Sequence, residues 1–298
     1  MTAITAAYED LIQRFVAWAE TVDDIRAAVI IGSRARTERP ADDWSDLDLI
    51  FFTARSERYI TSADWLNHLT PYWLTFLERT ATGDGQERRV LFDGALDVDF
   101  VPVPVEAIPM LPQDHEVQSM VGRGVRVIMD KDGALTEVLR HMPLSTERLS
   151  SQPPDETTFL NLVSDFWYHT VWTAKKLRRG EWWTALGCVD SYLKWQCVLP
   201  MIEWHARATH GWNYDTWMRG RFLEQWADPR AVEGLRSAFG HYDSDDLWRA
   251  LFGTMDLFSW LAPETASNLG YPYPSEAVQQ AVAWVKTCFE ERDSYDER

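Results

Sequence analysis

Two short apolar runs separated by a polar loop constrain this chain more than any other feature. Ala27-Ala28-Val29-Ile30-Ile31 and Leu47-Asp48-Leu49-Ile50-Phe51-Phe52 are each too short, and too rich in β-branched or aromatic residues, for a helix, so both read as strands. The first leads into Gly32-Ser33, where glycine permits close backbone approach and serine adds a hydroxyl and an amide able to hold phosphate oxygens. After twelve further residues, Asp46-Leu47-Asp48 opens the second. Side chains alternate along a strand, so the two carboxylates share a face about 7 Å apart. They repel unless a cation neutralises them, and magnesium favours a few carboxylates combined with phosphate oxygens. Acidic pairs at strand edges are often merely solvated, so the pair needs support from elsewhere. Leu96-Asp97-Val98-Asp99-Phe100 supplies it, placing two more carboxylates in an apolar strand where burial is costly without a metal or a proton to move.

Around these strands the pattern changes along the chain. A helix opens it from about residue 6 to 20, with Leu11, Phe15 and Trp18 on one side. Val90-Leu91-Phe92 and the run from Ala95 to Val103 flank Asp93-Gly94, a dipeptide suited to a tight hairpin, and Val125 to Met129 reads as a further strand. Residues 142–155 are rich in proline and serine, which marks a boundary. Beyond it the periodicity is helical: 156–179, 182–206, 223–239 in pieces, 245–261 and 275–290. The expectation is an α+β chain, with a mixed-sheet domain at 1–141 and an all-α helical bundle at 142–298. Twelve of the sixteen tryptophans follow Asp155, as large side chains packing helices together would require.

Composition narrows the function. The hydrophobic content of 46% is that of a chain able to bury a core. A formal charge of −17 disfavours nucleic acid and anionic membranes and favours a cationic small molecule, although it also serves solubility. No run approaches the roughly 18 apolar residues of a membrane span, and acids near the N-terminus are unlike a signal peptide, so a cytoplasmic protein is expected. Cys188 and Cys197, nine residues apart in a helical stretch, fall on opposite faces of an α-helix, against a disulfide framework. His205 and His210 are poorly spaced for zinc, and Gly122-Arg123-Gly124 lacks the rest of a dinucleotide fingerprint.

Gly32-Ser33, Asp46-x-Asp48 and a third acid on a later strand resemble the nucleotidyltransferase superfamily that includes polymerase β type enzymes. More closely, the stretches IGSRARTERPADDWSDLDLIFF, DGALDVDFVPV, FWYHTVWTAKKLRRGEWW, MIEW, DLWRALFGTMDLF and NLGYPYP are similar to the aminoglycoside 6-adenylyltransferases, also called streptomycin adenylyltransferases. The resemblance implies a polymerase-β-like N-terminal domain, a helical substrate-binding domain, and transfer of AMP from ATP to a streptomycin hydroxyl with release of pyrophosphate. It implies metal ligation by Asp46, Asp48 and Asp97, with two magnesium ions, and a triphosphate-binding turn at Gly32 and Ser33. Asp97 matches the family's third acid, with Asp99 where the family usually has a neutral residue, and either could be the base. Lys175 matches a family lysine able to reach phosphates; Arg34 or Arg36 would orient the triphosphate, Arg36 being the one retained.

The aminoglycoside is a cation with many hydroxyls, so its pocket should be acidic. Asp165, His169 and Trp172, at i, i+4 and i+7 of one helical face, and Glu203 in the next long helix are the candidates. A monomer is expected. The alternatives are another acceptor (a different aminoglycoside, a lincosamide or a protein side chain), a catalytically silent nucleotide-binding homologue, or a glycosyltransferase metal motif, which leaves Gly32-Ser33 and Asp97 unexplained.

Overall fold

In the computed structural model of the chain, residues 2–80, 85–144 and 152–292 are described. The chain divides into two compact units, Met1–Leu149 and Ser150–Arg298. The division falls inside the stretch rich in proline and serine, of which 145–151 lie outside the described residues.

The first unit opens with α1 (Ala3–Glu20), whose first turn is capped by the Thr2 hydroxyl accepting the Thr5 N–H. Then follow β1 (Ile25–Ile31), β2 (Leu47–Thr53), α2 (Ser56–Thr61), β3 (Tyr72–Arg79), β4 (Gln86–Phe92), β5 (Leu96–Pro104), α3 (His115–Arg123), β6 (Arg126–Asp130) and α4 (Ala134–His141). The strands form one mixed sheet in the order β3-β4-β5-β2-β1-β6, in which β2 and β5 run parallel and the other neighbours antiparallel. The Asp93-Gly94 hairpin is present, with both Gly94 (φ +80°) and Ala95 (φ +58°) left-handed, so β5 starts at Leu96 and not at Ala95.

Alternation sorts the two sheet faces. Leu47, Leu49, Phe51, Val98 and Phe100 bury against Tyr8, Leu11 and Phe15 of α1. Phe52, with Ala27 and Val29 of β1, packs on the other side against Ile108 and against Leu135 of α4. Asp48, second in β2, and Asp99, fourth in β5, belong by alternation to this second face.

The second unit is helical: α5 (Glu156–Arg178), α6 (Trp182–Leu186), a π-helical segment (Gly187–Val198), α7 (Leu199–His210), α8 (Leu223–Trp226), α9 (Pro229–Ala238), α10 (Ser244–Leu269) and α11 (Ser275–Glu290). Its core joins Phe159, Val163 and Phe166 to Val189, Leu193, Met201, Leu251 and Phe258, with Phe166 and Phe258 stacked at 3.7 Å between ring centroids. Trp167, Trp217, Trp226 and Trp248 are core side chains, while Trp183 and Trp195 are exposed.

The continuous helix expected over 182–206 is interrupted by π winding that ends just before Leu199-Pro200. Proline has no N–H, and its ring crowds the carbonyl four residues earlier; wider turns relieve that crowding, and the Leu199 N–H reaches back to the Lys194 carbonyl. This corrects the placing of Cys188 and Cys197 on opposite faces. Both are buried free thiols subject to the charge of Asp165, and burial pushes the Cys197 thiol up to about 12.

Candidate active site

The parallel register sets Asp48 of β2 directly opposite Asp99 of β5, and Asp46 lies one residue ahead of β2. One carboxylate oxygen from each of Asp46, Asp48 and Asp99 lies within 4.8 Å of the others. β1 ends against the same place, since Ile31 pairs with Asp48 and Gly32 follows. Gly32 is left-handed (φ +69°), and a Cβ there would stand 2.2 Å from Asp48 Oδ2, so the backbone and the carboxylate share space that only glycine leaves open. Gly124, after α3, packs as closely on the turn: a Cβ would stand 2.6 Å from Arg36 Cα.

The loop ahead of Asp46 is pinned by Arg34. Its Nε donates to the Asp46 carbonyl at 2.9 Å and its Nη2 to the Ser45 carbonyl at 2.6 Å, and the guanidinium lies 3.5 Å over the Tyr8 ring. Arg34 therefore shapes the loop. Arg36, the arginine expected to orient the triphosphate, donates from Nε to the Arg39 carbonyl at 2.9 Å. The Ser33 hydroxyl is buried with no hydrogen-bond partner among the described residues. A buried orphan hydroxyl is costly to leave unpaired, and an incoming phosphate oxygen would satisfy it. That orphan, the cradle at Gly32 and three hard oxygen donors fit a divalent cation carrying a nucleotide phosphate.

Among the described residues the acid that lies with Asp46 and Asp48 is Asp99, while Asp97, expected as the third ligand, lies outside that cluster. Asp97 accepts the Tyr8 hydroxyl at 2.9 Å on Oδ1, and its backbone N–H donates to the same hydroxyl at 3.2 Å, so it ties α1 to the start of β5. Burial and the Asp97 carboxylate push the Tyr8 phenol up to about 12. Asp99, two residues on, meets Asp48 because the register with β2 decides which of two same-face acids converges. Burial raises the Asp99 carboxyl to about 6; Arg89 opposes the rise, and Glu87, Asp46 and Asp97 add to it. Glu87 and Arg89 of β4 are site neighbours that the sequence reading misses. Their signal was the strand leading into the Asp93-Gly94 turn, whose alternation sets residues 87 and 89 on one face.

In the helical unit, Asp165 and His169 of α5 do pair, His169 Nδ1 lying 2.6 Å from Asp165 Oδ1. A residue not foreseen, Tyr192 of the π-helical segment, donates its hydroxyl to both Asp165 oxygens at 3.1 Å, and its ring lies 4.3 Å from that of His169. Trp172 lies 6.3 Å from His169, ring to ring, and carries the Lys176 ammonium at 5.0 Å from its own centroid. Lys175 is exposed on α5, its ammonium 5.4 Å from the ring centroid of Trp284 in α11. Glu203 of α7 acts on Arg207, its charge partly offsetting the burial of that guanidinium.

A mixed sheet on which a glycine-serine turn and three carboxylates converge defines a domain of the nucleotidyltransferase class. The chain belongs to the streptomycin adenylyltransferase family, which matches residues 6–288. An aminoglycoside 6-adenylyltransferase of Campylobacter jejuni is 24% identical over 270 residues, covering 86% of this chain and 87% of that protein. The Bacillus subtilis aminoglycoside 6-adenylyltransferase is 20% identical over 273 residues, 89% of this chain and 92% of that protein. A crystal structure of an aminoglycoside 6-adenyltransferase from Bacillus subtilis aligns at 16% identity with a TM-score of 0.43, covering 94% of this chain and 97% of that one.

Proposed function

We propose that the chain transfers AMP from ATP to a hydroxyl of an aminoglycoside, the 6-hydroxyl of streptomycin in the first instance, and so confers resistance. The observation that carries this reading is the convergence of Asp46, Asp48 and Asp99 beside the orphan Ser33 hydroxyl, in a chain of this family. Asp46, Asp48 and Asp99 would hold magnesium, two ions in this reading, and when bound the metal draws charge from the phosphate oxygens during in-line displacement. Ser33 and the Gly32-Ser33 backbone hold the triphosphate, with Arg36 and Lys175 as further cations for it. Asp99 takes the proton of the attacking hydroxyl as the new O–P bond forms and the bond to the leaving pyrophosphate breaks. Asp165, steadied by Tyr192 and His169, is the first candidate for the antibiotic's guanidinium groups, with Trp172 and Glu203 as further contacts. A donor such as ATP fits a cytoplasmic site of action.

Mass spectrometry of streptomycin incubated with ATP, magnesium and the protein tests the reaction directly. A mass gain matching AMP is expected, lost in Asp46→Asn and Asp48→Asn proteins; full transfer by both variants would refute the site. Following pyrophosphate release over a panel of acceptors separates streptomycin from other aminoglycosides, lincosamides and proteins.

A further inference from the structure

Arg89 of β4 stands directly opposite Asp99 of β5 and makes three ion pairs. Its Nε lies 2.9 Å from Glu78 Oε2 and 3.0 Å from Glu87 Oε1, while its Nη2 lies 3.1 Å from Asp99 Oδ2. The guanidinium is thus held at Nε by two glutamates, with its Nη2 on the acid cluster. The Glu87 side chain is only 10% exposed, so loss of the arginine would leave a nearly buried carboxylate without this counter-charge. That anchor does not depend on Asp99.

A cation arriving among Asp46, Asp48 and Asp99 competes with Nη2 for Asp99. When Asp99 turns to the cation, the guanidinium stays where its glutamates hold it, and Nη2 is released beside the acid cluster to meet the phosphate that the cation carries. Arginine suits such a handover because its planar fork presents several donors at fixed angles, and a phosphate oxygen is as good an acceptor as the carboxylate it replaces. We infer that Arg89 is a ligand for the nucleotide's phosphates, kept in place by Glu78 and Glu87 and neutralising Asp99 until nucleotide and metal arrive. The inference rests on the proposed nucleotide site and gives that site a cation from the sheet itself.

The full-length Arg89→Gln protein separates this role from that of a strand staple. Manganese affinity is read by electron paramagnetic resonance, and ATP affinity by calorimetry in EDTA and again with magnesium. With its competitor removed, the variant should bind free manganese more tightly. With magnesium it should bind ATP more weakly by about 10-fold or more, as expected for one charge-assisted hydrogen bond, and the loss should be smaller in EDTA, where no cation frees Nη2 from Asp99. Arg89→Lys keeps the charge without the fork, so its manganese affinity should stay near that of the parent and its ATP affinity should fall between the two. Unchanged ATP affinity in Arg89→Gln, or weaker manganese binding, overturns the inference. An Asp46→Asn control that binds manganese as the parent does would instead overturn the underlying site assignment, so the two failures are distinct.

Discussion

Asp99 carries two opposing influences, burial that favours its neutral form and the Arg89 guanidinium that favours its charge, and burial prevails. Its carboxyl rises from an ordinary 3.8 to about 6. Between those values the folded chain binds the proton and the unfolded chain has lost it, so stability falls as pH rises through this window. Above about pH 6 the full cost is present, of the order of 3 kcal/mol. Asp99→Asn removes that cost. In EDTA at pH 7.5 the variant should melt several degrees above the parent, with the gap closing below about pH 4. Calorimetry across that range checks it; a variant no more stable at pH 7.5 would show that the Arg89 pair outweighs the burial. The spacing of Asp46 and Asp48 was legible, and both join the acid cluster although Asp46 stands one residue ahead of β2. That Asp99 and not Asp97 stands beside them was not legible, since both share a face and only the pairing of β5 with β2 decides which one meets Asp48.

At the scale of elements, the π-helical segment places Tyr192 on Asp165 and buries Lys194, whose ammonium donates to the Val189 carbonyl at 2.9 Å and to Thr254 Oγ1 at 2.7 Å. Burial depresses this ammonium to about 8, with the Asp190 and Cys188 charges pulling it back up. The unfolded lysine keeps its proton to about pH 10.4, so between these values the unfolded state binds the more protons, and stability from this group rises with pH. The cost of burying the charge is present in full below about pH 8. Lys194→Met should therefore gain on the parent at pH 7 relative to pH 10 by up to about 3 kcal/mol; the lost hydrogen bonds weigh at both pH values and cancel in that difference. Urea unfolding of both proteins at the two pH values measures the difference, and a gap independent of pH would rule out a charged buried Lys194.

The helix itself was readable from the apolar spacing. Its widening was not, because the cause is one proline acting on carbonyls a turn earlier, and apolar periodicity averages over such local changes. β3 was missed for a related reason: Trp73, Leu74, Phe76 and Leu77 are all exposed, so this edge strand lacks the inward and outward alternation by which a half-buried strand is recognised. The strands nearer the acids bury one face and were legible.

On the scale of the whole molecule, no helix among the described residues is long and apolar enough to cross a membrane, and the chain carries a formal charge of −17. Such a field acts in opposite senses on the two proposed substrates. It draws in a polycationic antibiotic and repels the nucleotide, whose magnesium complex remains anionic, so local groups such as Ser33 and Arg89 must overcome a general repulsion. Salt separates the general field from the local contacts, because raising ionic strength from about 0.01 M to about 0.1 M shortens the screening length from about 30 Å to about 10 Å. Stopped-flow binding in this range should show streptomycin association slowing several-fold while dissociation changes little, and ATP association with magnesium holding steady or quickening. A salt effect of the same sign on both ligands would assign the dependence to ion-specific effects and not to net charge. An effect confined to streptomycin dissociation would assign the attraction to the carboxylates it touches, Asp165 first among them, and leave the acidic surface with no part in capture.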